Sequence, residues 1–445
     1  MTSSKGEKVT VAVIGLGNRG NDIYAHYQLV APDEMQITAV ADPIEKKREA
    51  AQSLYNVPSE NCFATGEELL SRPRLADVVV IATQDKQHVK QAVMAIEKGY
   101  HVICEKPISP DIEECLLLQQ KAHEYNRMVA VGHVLRYTPF YSKLKEVIDS
   151  GRLGEVVTIQ ARENVTYWHQ AHSYVRGNWR DSKETSPMIM AKSCHDMDII
   201  AWLLGKRCRR ISSFGNLYLF KPEMAPEGAA RRCLDGCRVK DECPYDAEKI
   251  YITNKRTGIR DVIASKKTGD NTWPVSVLSP NDITEEAIYK ALKEGPYGRC
   301  VYHCDNNVVD HQVVTMEFEG NATADFTMTA FTGGGGRTIH VCGTKGDAIG
   351  SLGDNTVTVR EFGKEPETIQ TAYGDMSGHS GGDNRLIHDF LSSVSKGSCE
   401  EHLKTGIDVS IQSHIMAIAA ELSRQNNGEM VDIEQFIKDK LYKGI

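Results

Sequence analysis

Gly15-Leu16-Gly17-Asn18-Arg19-Gly20 spells G-x-G-x-x-G between a β-branched apolar run and a helical stretch. Gly15 permits a tight turn, Gly17 lets the backbone approach a pyrophosphate, and Gly20 lets the helix pack closely on its strand. Free N–H groups at the start of that helix, at Asn18 and Arg19, then receive the phosphates. Asp42 stands 22 residues beyond Gly20, at the end of the next apolar run. A carboxylate there accepts ribose hydroxyls and repels a 2′-phosphate, which favours NAD over NADP. Lys46, Lys47 and Arg48 read as solvent-facing. Glu105-Lys106-Pro107 ends a later strand, where parallel sheets open their ligand crevice. Lys106 can hydrogen-bond a substrate hydroxyl, and Pro107, cis or trans, aims it. Taking hydride from a secondary alcohol leaves a hydroxyl proton, and a histidine near neutral pKa is its usual acceptor. His195 fits that task, with Asp198 one helical turn away to orient the ring and Lys192 three residues before it. Thr83, His88 and Glu105 complete the cofactor-side candidates.

A second group of residues reads as substrate-binding. The run from Tyr167 to Arg180 contains Tyr167, Trp168, Tyr174, Arg176, Trp179 and Arg180. Aromatic faces bind the C–H surfaces of sugars, and planar donors bind their hydroxyls. A subunit-interface loop has the same composition, so both readings stand. His133, Arg136 and Tyr137 join this set. The loop Asp375–Asp383 offers His379 and Asp383. Cys233, Cys237 and Cys243 lie close in sequence, with Cys300 and Cys304 downstream. Four thiolates would hold a structural zinc. Cys304 is taken as the fourth ligand, with Cys300 and Cys208 as alternatives.

These residues need a scaffold. Strands at Val9–Ile14, Ile37–Ala41, Val78–Ala82, His101–Cys104 and Met128–Gly132 alternate with helical stretches. Such alternation, with right-handed crossovers, builds a doubly wound parallel sheet, the Rossmann arrangement, over residues 1–135. Beyond it, strands at Val156–Ala161, Arg210–Phe220, His311–Phe318, Ala322–Ala330, Arg337–Cys342 and Thr356–Glu361 follow without a helix between each pair. Residues 136–445 therefore read as an α+β domain with a largely antiparallel open sheet, for substrate and oligomer contacts. Residues 221–304 read as a polar, Cys-rich insertion with little apolar content. The net charge of −8 gives no electrostatic reason for a nucleic-acid partner. No apolar run is long enough for a membrane span, and a polar start without a signal core makes the cytoplasm the default address.

In order, GLGNRG at 15–20, VVIATQDKQH at 79–88, CEKP at 104–107, VGHVLRYTP at 131–139 and SCHDMDIIAWLLG at 193–205 resemble the glucose–fructose oxidoreductase / inositol dehydrogenase / rhizopine-catabolism (Gfo/Idh/MocA) family. The resemblance implies NAD binding through Gly15, Gly17, Gly20 and Asp42, an active-site lysine at Lys106 and the family histidine at His195. It also implies redox chemistry at a carbinol carbon of a sugar or cyclitol. Many family dehydrogenases carry an aspartate four residues before this histidine; here that position is Ala191, with Lys192 beside it. Three functions stay in play: a sugar or cyclitol dehydrogenase, a redox-assisted glycosidase or lyase that recycles its NAD, and a non-catalytic dinucleotide sensor. The open sheet face leads to the expectation of a homodimer or homotetramer.

Overall fold

The computed structural model describes residues 8–280, 282–397 and 403–442. Six strands, β1 (Val9–Ile14), β2 (Met35–Ala41), β3 (Cys62–Phe63), β4 (Val78–Ile81), β5 (His101–Cys104) and β6 (Val129–Val131), form one parallel sheet. Its order is β3-β2-β1-β4-β5-β6, so the direction of strand addition reverses beside β1. In open parallel sheets the ligand crevice lies at such a reversal, here beyond the C-terminal ends of β1 and β4. The strands are apolar on both faces because helices cover both. Val79 and Ile81 are buried in one apolar cluster, Val78 and Val80 in the other. The helix Gly382–Ser395 returns to this sheet, burying Leu386, Ile387, Phe390 and Leu391 in the cluster that holds Val11 and Val13.

The second sheet has nine strands: β7 (Val156–Thr166), β8 (Cys208–Asn216), β9 (His311–Phe318), β10 (Thr323–Thr332), β11 (Gly336–Gly343), β12 (Gly346–Ser351), β13 (Thr356–Glu361), β14 (Glu367–Gln370) and β15 (Val431–Asp432). Their order is β14-β13-β12-β11-β7-β10-β9-β8-β15. Only β7 and β10 pair parallel; the other neighbours are antiparallel. One face is sealed by the helices Cys194–Leu204 and Ile407–Gln425. The other presents residues such as Thr315, Thr327 and Gln160 outward.

Several boundaries differ from the sequence reading. Strand β7 runs on to Thr166 and β8 stops at Asn216. The short strand β3 and β12, β14 and β15 were not anticipated, being brief or weakly apolar.

The larger difference concerns residues 221–304, which have an apolar core of their own. Phe220, Ile250, Tyr251, Ile252, Ile259, Val275, Ile288 and Leu292 are each at most 1% exposed and form one cluster with Trp168, Ala171 and Val175. Their apolar positions are spread over several short turns and helices, so no single stretch shows a period. This segment thus buries apolar surface of its own, contrary to its reading as a stretch with little apolar content.

Candidate active site

The glycine turn follows from backbone geometry. Gly15 donates its N–H to the Ala41 carbonyl at 2.8 Å and sits at φ +91°. A Cβ there would stand 2.5 Å from the Ala82 oxygen, and one on Gly20 would stand 1.7 Å from the Gly15 oxygen. Gly17 is different: a Cβ on it would meet nothing within 4 Å. Gly15 and Gly20 are thus required by the protein's own packing, whereas the space over Gly17 is open for a diphosphate.

Asp42 locks this turn to β2. Its Oδ2 accepts from the Leu16 N–H at 2.8 Å and its Oδ1 from the Ile44 N–H at 2.9 Å. Lys47 and Arg48, read as solvent-facing, turn back toward it: Lys47 Nζ lies 3.9 Å from Oδ2, and Arg48 donates to the Asp42 carbonyl at 2.7 Å.

Arg19 and Glu105, both expected to touch the cofactor, use their polar atoms on each other. Arg19 Nε meets Glu105 Oε1 at 2.6 Å, and Arg19 Nη1 meets Asp383 at 2.8 Å. Glu105 also accepts from Tyr24 at 2.8 Å and from the Lys106 N–H at 3.0 Å, so it braces the lysine's backbone. Thr83 donates to Gln91 at 2.9 Å. The ring nitrogens of His88 lie 2.8 and 3.1 Å from the carbonyls of Pro107 and Thr83. His88 therefore ties together the turns after β4 and β5.

Lys106 precedes a cis peptide bond to Pro107. Its Nζ donates to the Ala191 carbonyl at 2.8 Å, reaching into the second domain beside Lys192. His195 is buried at 5% exposure, and its Nδ1 has no hydrogen-bond partner. Burial first, then Lys106 and Arg337, hold its pKa well below the usual histidine value, so the ring is neutral. His133 and His379 lie beside it, ring centres 5.8 and 6.0 Å away.

The sequence reading missed part of this pocket. Lys192 Nζ faces Glu163 at 3.4 Å, Arg337 Nη1 meets Glu163 at 2.9 Å, and Arg337 Nε meets Asp196 at 2.8 Å. Burial, aided by Arg337 and Lys106, brings the Lys192 pKa below the usual lysine value against the pull of Glu163. Burial raises Asp196 to about 6, while Glu163, though buried, is held below its ordinary value by Arg337 and Lys192. Glu163 and Arg337 both occupy inward positions of strands otherwise filled by apolar residues. That break in alternation was the available signal. It was invisible while β7 was taken to end at Ala161.

The aromatic run divides. His169 lies among the cations of the pocket: burial, then Lys192, His172 and Lys106, depress its pKa. It stacks on Trp168 at 5.7 Å and meets Trp273 edge-on at 4.9 Å. Tyr174 packs beside His169 and Trp179. Tyr167 turns to Tyr245, and Arg180 pairs with Asp305 at 2.9 Å.

Other candidates belong to the frame, for electrostatic reasons. Arg136 grips Asp198 through two bonds of 2.8 and 2.6 Å, so Asp198 does not orient His195 and Arg136 is not free for substrate. His133 is fully buried, its Nε2 3.1 Å from Ser413 Oγ. Tyr137 donates to Asp389 at 2.8 Å. Arg176 is fully buried away from the pocket, among cysteines.

The cysteine set also changes. Cys233, Cys237 and Cys243 line one small cavity with Cys300, while the Cys304 thiol turns onto the Cys300 carbonyl at 3.3 Å. Among the described residues, no three His, Cys, Asp or Glu side chains already stand as a metal-holding group.

The second domain grips the crevice at three places. Ser186 donates to buried Asp85 at 2.6 Å, and Lys86 donates to the Lys183 carbonyl. The turn Gly269–Thr272 packs against the helix Asn18–Ala25, and Asp383 holds Arg19.

A doubly wound parallel sheet opening on such a glycine turn is the frame of an NAD-binding oxidoreductase. Comparison with known proteins agrees. Residues 9–133 match the profile described as "Oxidoreductase family, NAD-binding Rossmann fold", and residues 145–228 match "Oxidoreductase family, C-terminal alpha/beta domain". The chain belongs to the Gfo/Idh/MocA oxidoreductase family. YteT of Bacillus subtilis (strain 168), an oxidoreductase by name, is 24% identical over 377 residues, covering 80% of this chain and 82% of its own length. An inositol 2-dehydrogenase of Corynebacterium glutamicum (strain R) is 28% identical over 204 residues, 45% of this chain and 56% of that protein. The match thus spans only about half of that dehydrogenase's length. Among solved structures, an oxidoreductase domain protein from Kribbella flavida has TM-score 0.70 at 16% identity, covering 96% and 99% of the two chains. An inositol dehydrogenase homolog from Azotobacter vinelandii complexed with NAD+ has TM-score 0.67 at 16% identity, covering 96% and 97%. These two share the fold. No helix among the described residues is long and apolar enough to cross a membrane.

Proposed function

We propose that this protein oxidises or reduces a CH–OH group of a neutral sugar, sugar derivative or cyclitol with NAD. The observation that carries the reading is that Lys106, just beyond the end of β5, lies near enough to the buried, neutral His195 for its charge to depress the histidine's pKa. Residues 1–135 hold the dinucleotide on the open side of Gly17, with Asp42 positioned for the ribose. Bound NAD supplies the two-electron acceptor or donor for the carbinol carbon. Lys106, tethered by one N–H to Ala191, keeps N–H groups for the substrate oxygen and stabilises negative charge as it develops there. The His195 ring takes the hydroxyl proton, a role open to it because it is uncharged. Lys192 contacts the adjoining hydroxyl, with Glu163 standing in for the aspartate absent at Ala191.

Charge supports a neutral substrate. Arg19, Lys192 and Arg337 are paired with Glu105, Asp383, Glu163 and Asp196. With Lys106, which makes no ion pair among the described residues, four cations face four carboxylates, and the pocket has no net positive charge to draw a substrate carboxylate. Trp168, His169 and Tyr174 offer flat faces for a ring. The open face of the nine-stranded sheet pairs two chains, giving a homodimer or homotetramer. Light scattering that found a monomer would contradict this part. The cytoplasm is the proposed address.

A second reading is favoured by the three-point grip on the crevice. Contacts at Asp85, at the helix Asn18–Ala25 and at Arg19 would slow exchange of the dinucleotide, as a redox-assisted glycosidase or lyase with recycled NAD requires. One experiment separates the two readings: incubation with sugars, cyclitols and glycosides while following nicotinamide absorbance and released aglycone together. NADH accumulating with a simple polyol supports the first; aglycone without net NADH supports the second. Neither signal with any substrate would count against both.

A further inference from the structure

Arg176 is 0% exposed. Its Nε donates to the Arg299 carbonyl and its Nη2 to the Tyr245 carbonyl, both at 2.7 Å, while Nη1 has no hydrogen-bond partner. Among the described residues no carboxylate lies within ion-pair distance of it. The ionisable groups that act on it most are the thiols of Cys233, Cys300 and Cys304 and the phenol of Tyr251, whose oxygen already faces His172 at 3.0 Å. Lys240 and buried Asp246 line the same cavity without an ion pair to it. Cys233 Sγ is 3.6 Å from Nη2. A guanidinium cannot shed its proton, and a buried cation without a counter-ion is as costly as one half of a broken buried pair. Nη1 is therefore left without an anion at pairing distance.

The same guanidinium lines a cavity of about 10 Å³ whose wall carries Cys233, Cys237, Cys243 and Cys300. That volume has room for about one water-sized sphere, which suits a single ion. We propose that Cys233, Cys237, Cys243 and Cys300 bind a single zinc ion as a tetrathiolate, with Arg176 as the buried counter-cation. Loading balances as four thiols plus Zn²⁺ giving the Zn(S)₄ dianion and four protons, which leave to solvent. The thiols line the cavity without yet forming a coordination shell. Cys237 and Cys243 are only partly buried, which leaves them freer than Cys233 and Cys300 to move as the shell closes. The dianion is what Arg176 lacks, and the two carbonyl bonds hold the guanidinium beside it. Arg176 closes the segment Tyr167–Arg176 that carries Trp168 and His169 to the pocket. The centre would fix the end of that segment, whichever reading of the active site holds.

The test is metal analysis of the full chain, tag removed, after reduction and loading with zinc chloride, then exhaustive dialysis. About one zinc per chain is expected, as for a closed four-thiolate site. Cys237→Ser and Cys300→Ser should each lose most of it, while Cys304→Ser and Cys62→Ser should keep it. Cobalt loading of the unaltered chain guards against variants that fail to fold. It should give the intense visible bands of tetrahedral cobalt with sulphur-to-cobalt charge transfer in the near ultraviolet. Zinc well under one equivalent together with a weak, octahedral cobalt spectrum would overturn the proposal. So would loss of metal in Cys304→Ser but not Cys300→Ser, or a brown iron chromophore in place of zinc.

Discussion

Removing Arg337 probes the buried charge cluster behind Lys192. Its guanidinium holds Asp196 by two bonds of 2.8 and 3.1 Å and Glu163 by one of 2.9 Å, at 8% exposure. In Arg337→Met, two buried carboxylates are left with Lys192 alone, at 3.4 Å from one of them. Breaking a buried pair in this way costs about 3–5 kcal/mol. The exposed pair Arg210–Glu317 at 3.2 Å gives the control: Arg210→Met should cost less than about 1 kcal/mol. The sign of the pH dependence is a sharper check. In the native protein Asp196 is raised to about 6 while Glu163 is lowered, so their contributions oppose each other. In Arg337→Met both folded-state pKa values stand above the unfolded ones. The folded state then binds protons more tightly, and stability recovers as pH falls through those raised values. Urea unfolding followed by tryptophan fluorescence at about pH 7.5 and about pH 5.5 reads both effects. A variant within about 1 kcal/mol of the native protein at the higher pH, with an unchanged pH slope, would refute the assignment of this cluster.

Gly17→Ala should fold with unchanged thermal stability yet bind NAD weakly, because its methyl meets only the ligand's space; calorimetric titration reads this. Gly20→Ala should lower thermal stability outright, since its methyl would stand 1.7 Å from a backbone oxygen. Lys106→Met should lower kcat by about 10²–10⁴ with NAD affinity little changed, the range for loss of a group acting on the proton and oxygen of the substrate. Burial lowers His172 and His414 to about 3, so the folded state refuses protons that the unfolded chain accepts below about pH 6.5. Their stabilising contribution is complete above that value and falls by about 1.4 kcal/mol per pH unit for each as the solution is acidified toward the folded values. Acid titration with circular dichroism that found constant stability between about pH 6.5 and about pH 4 would contradict their neutral burial.

The dinucleotide half was legible because its signals are local. G-x-G-x-x-G binds neighbouring backbone, and strands buried on both faces read as short β-branched runs. Lys106 and His195 could be proposed for the same reason, each lying in a compact motif that the resemblance picks out. Glu163, Arg337 and Asp196 were not found: they meet across β7, β11 and a helix, and no spacing along the chain records that contact. Asp198 misled, because its helical spacing from His195 is right but Arg136, from another element, holds its carboxylate. The insertion misled in the same way. Its apolar residues are too scattered to show a period, yet they converge in space with Trp168 and Val175.

Isotope transfer tests the assigned chemistry at its source. The purified protein would be incubated with carbon-deuterated sugars and cyclitols in turn, then denatured, and its NADH examined by mass spectrometry. Deuterium on the nicotinamide with at least one polyol, lost in Lys106→Met, is the result expected under either reading of turnover. A chain that binds NAD tightly but gives no label with any polyol, or one that binds no nicotinamide nucleotide, would contradict the assignment of Lys106 and His195 to carbinol redox chemistry.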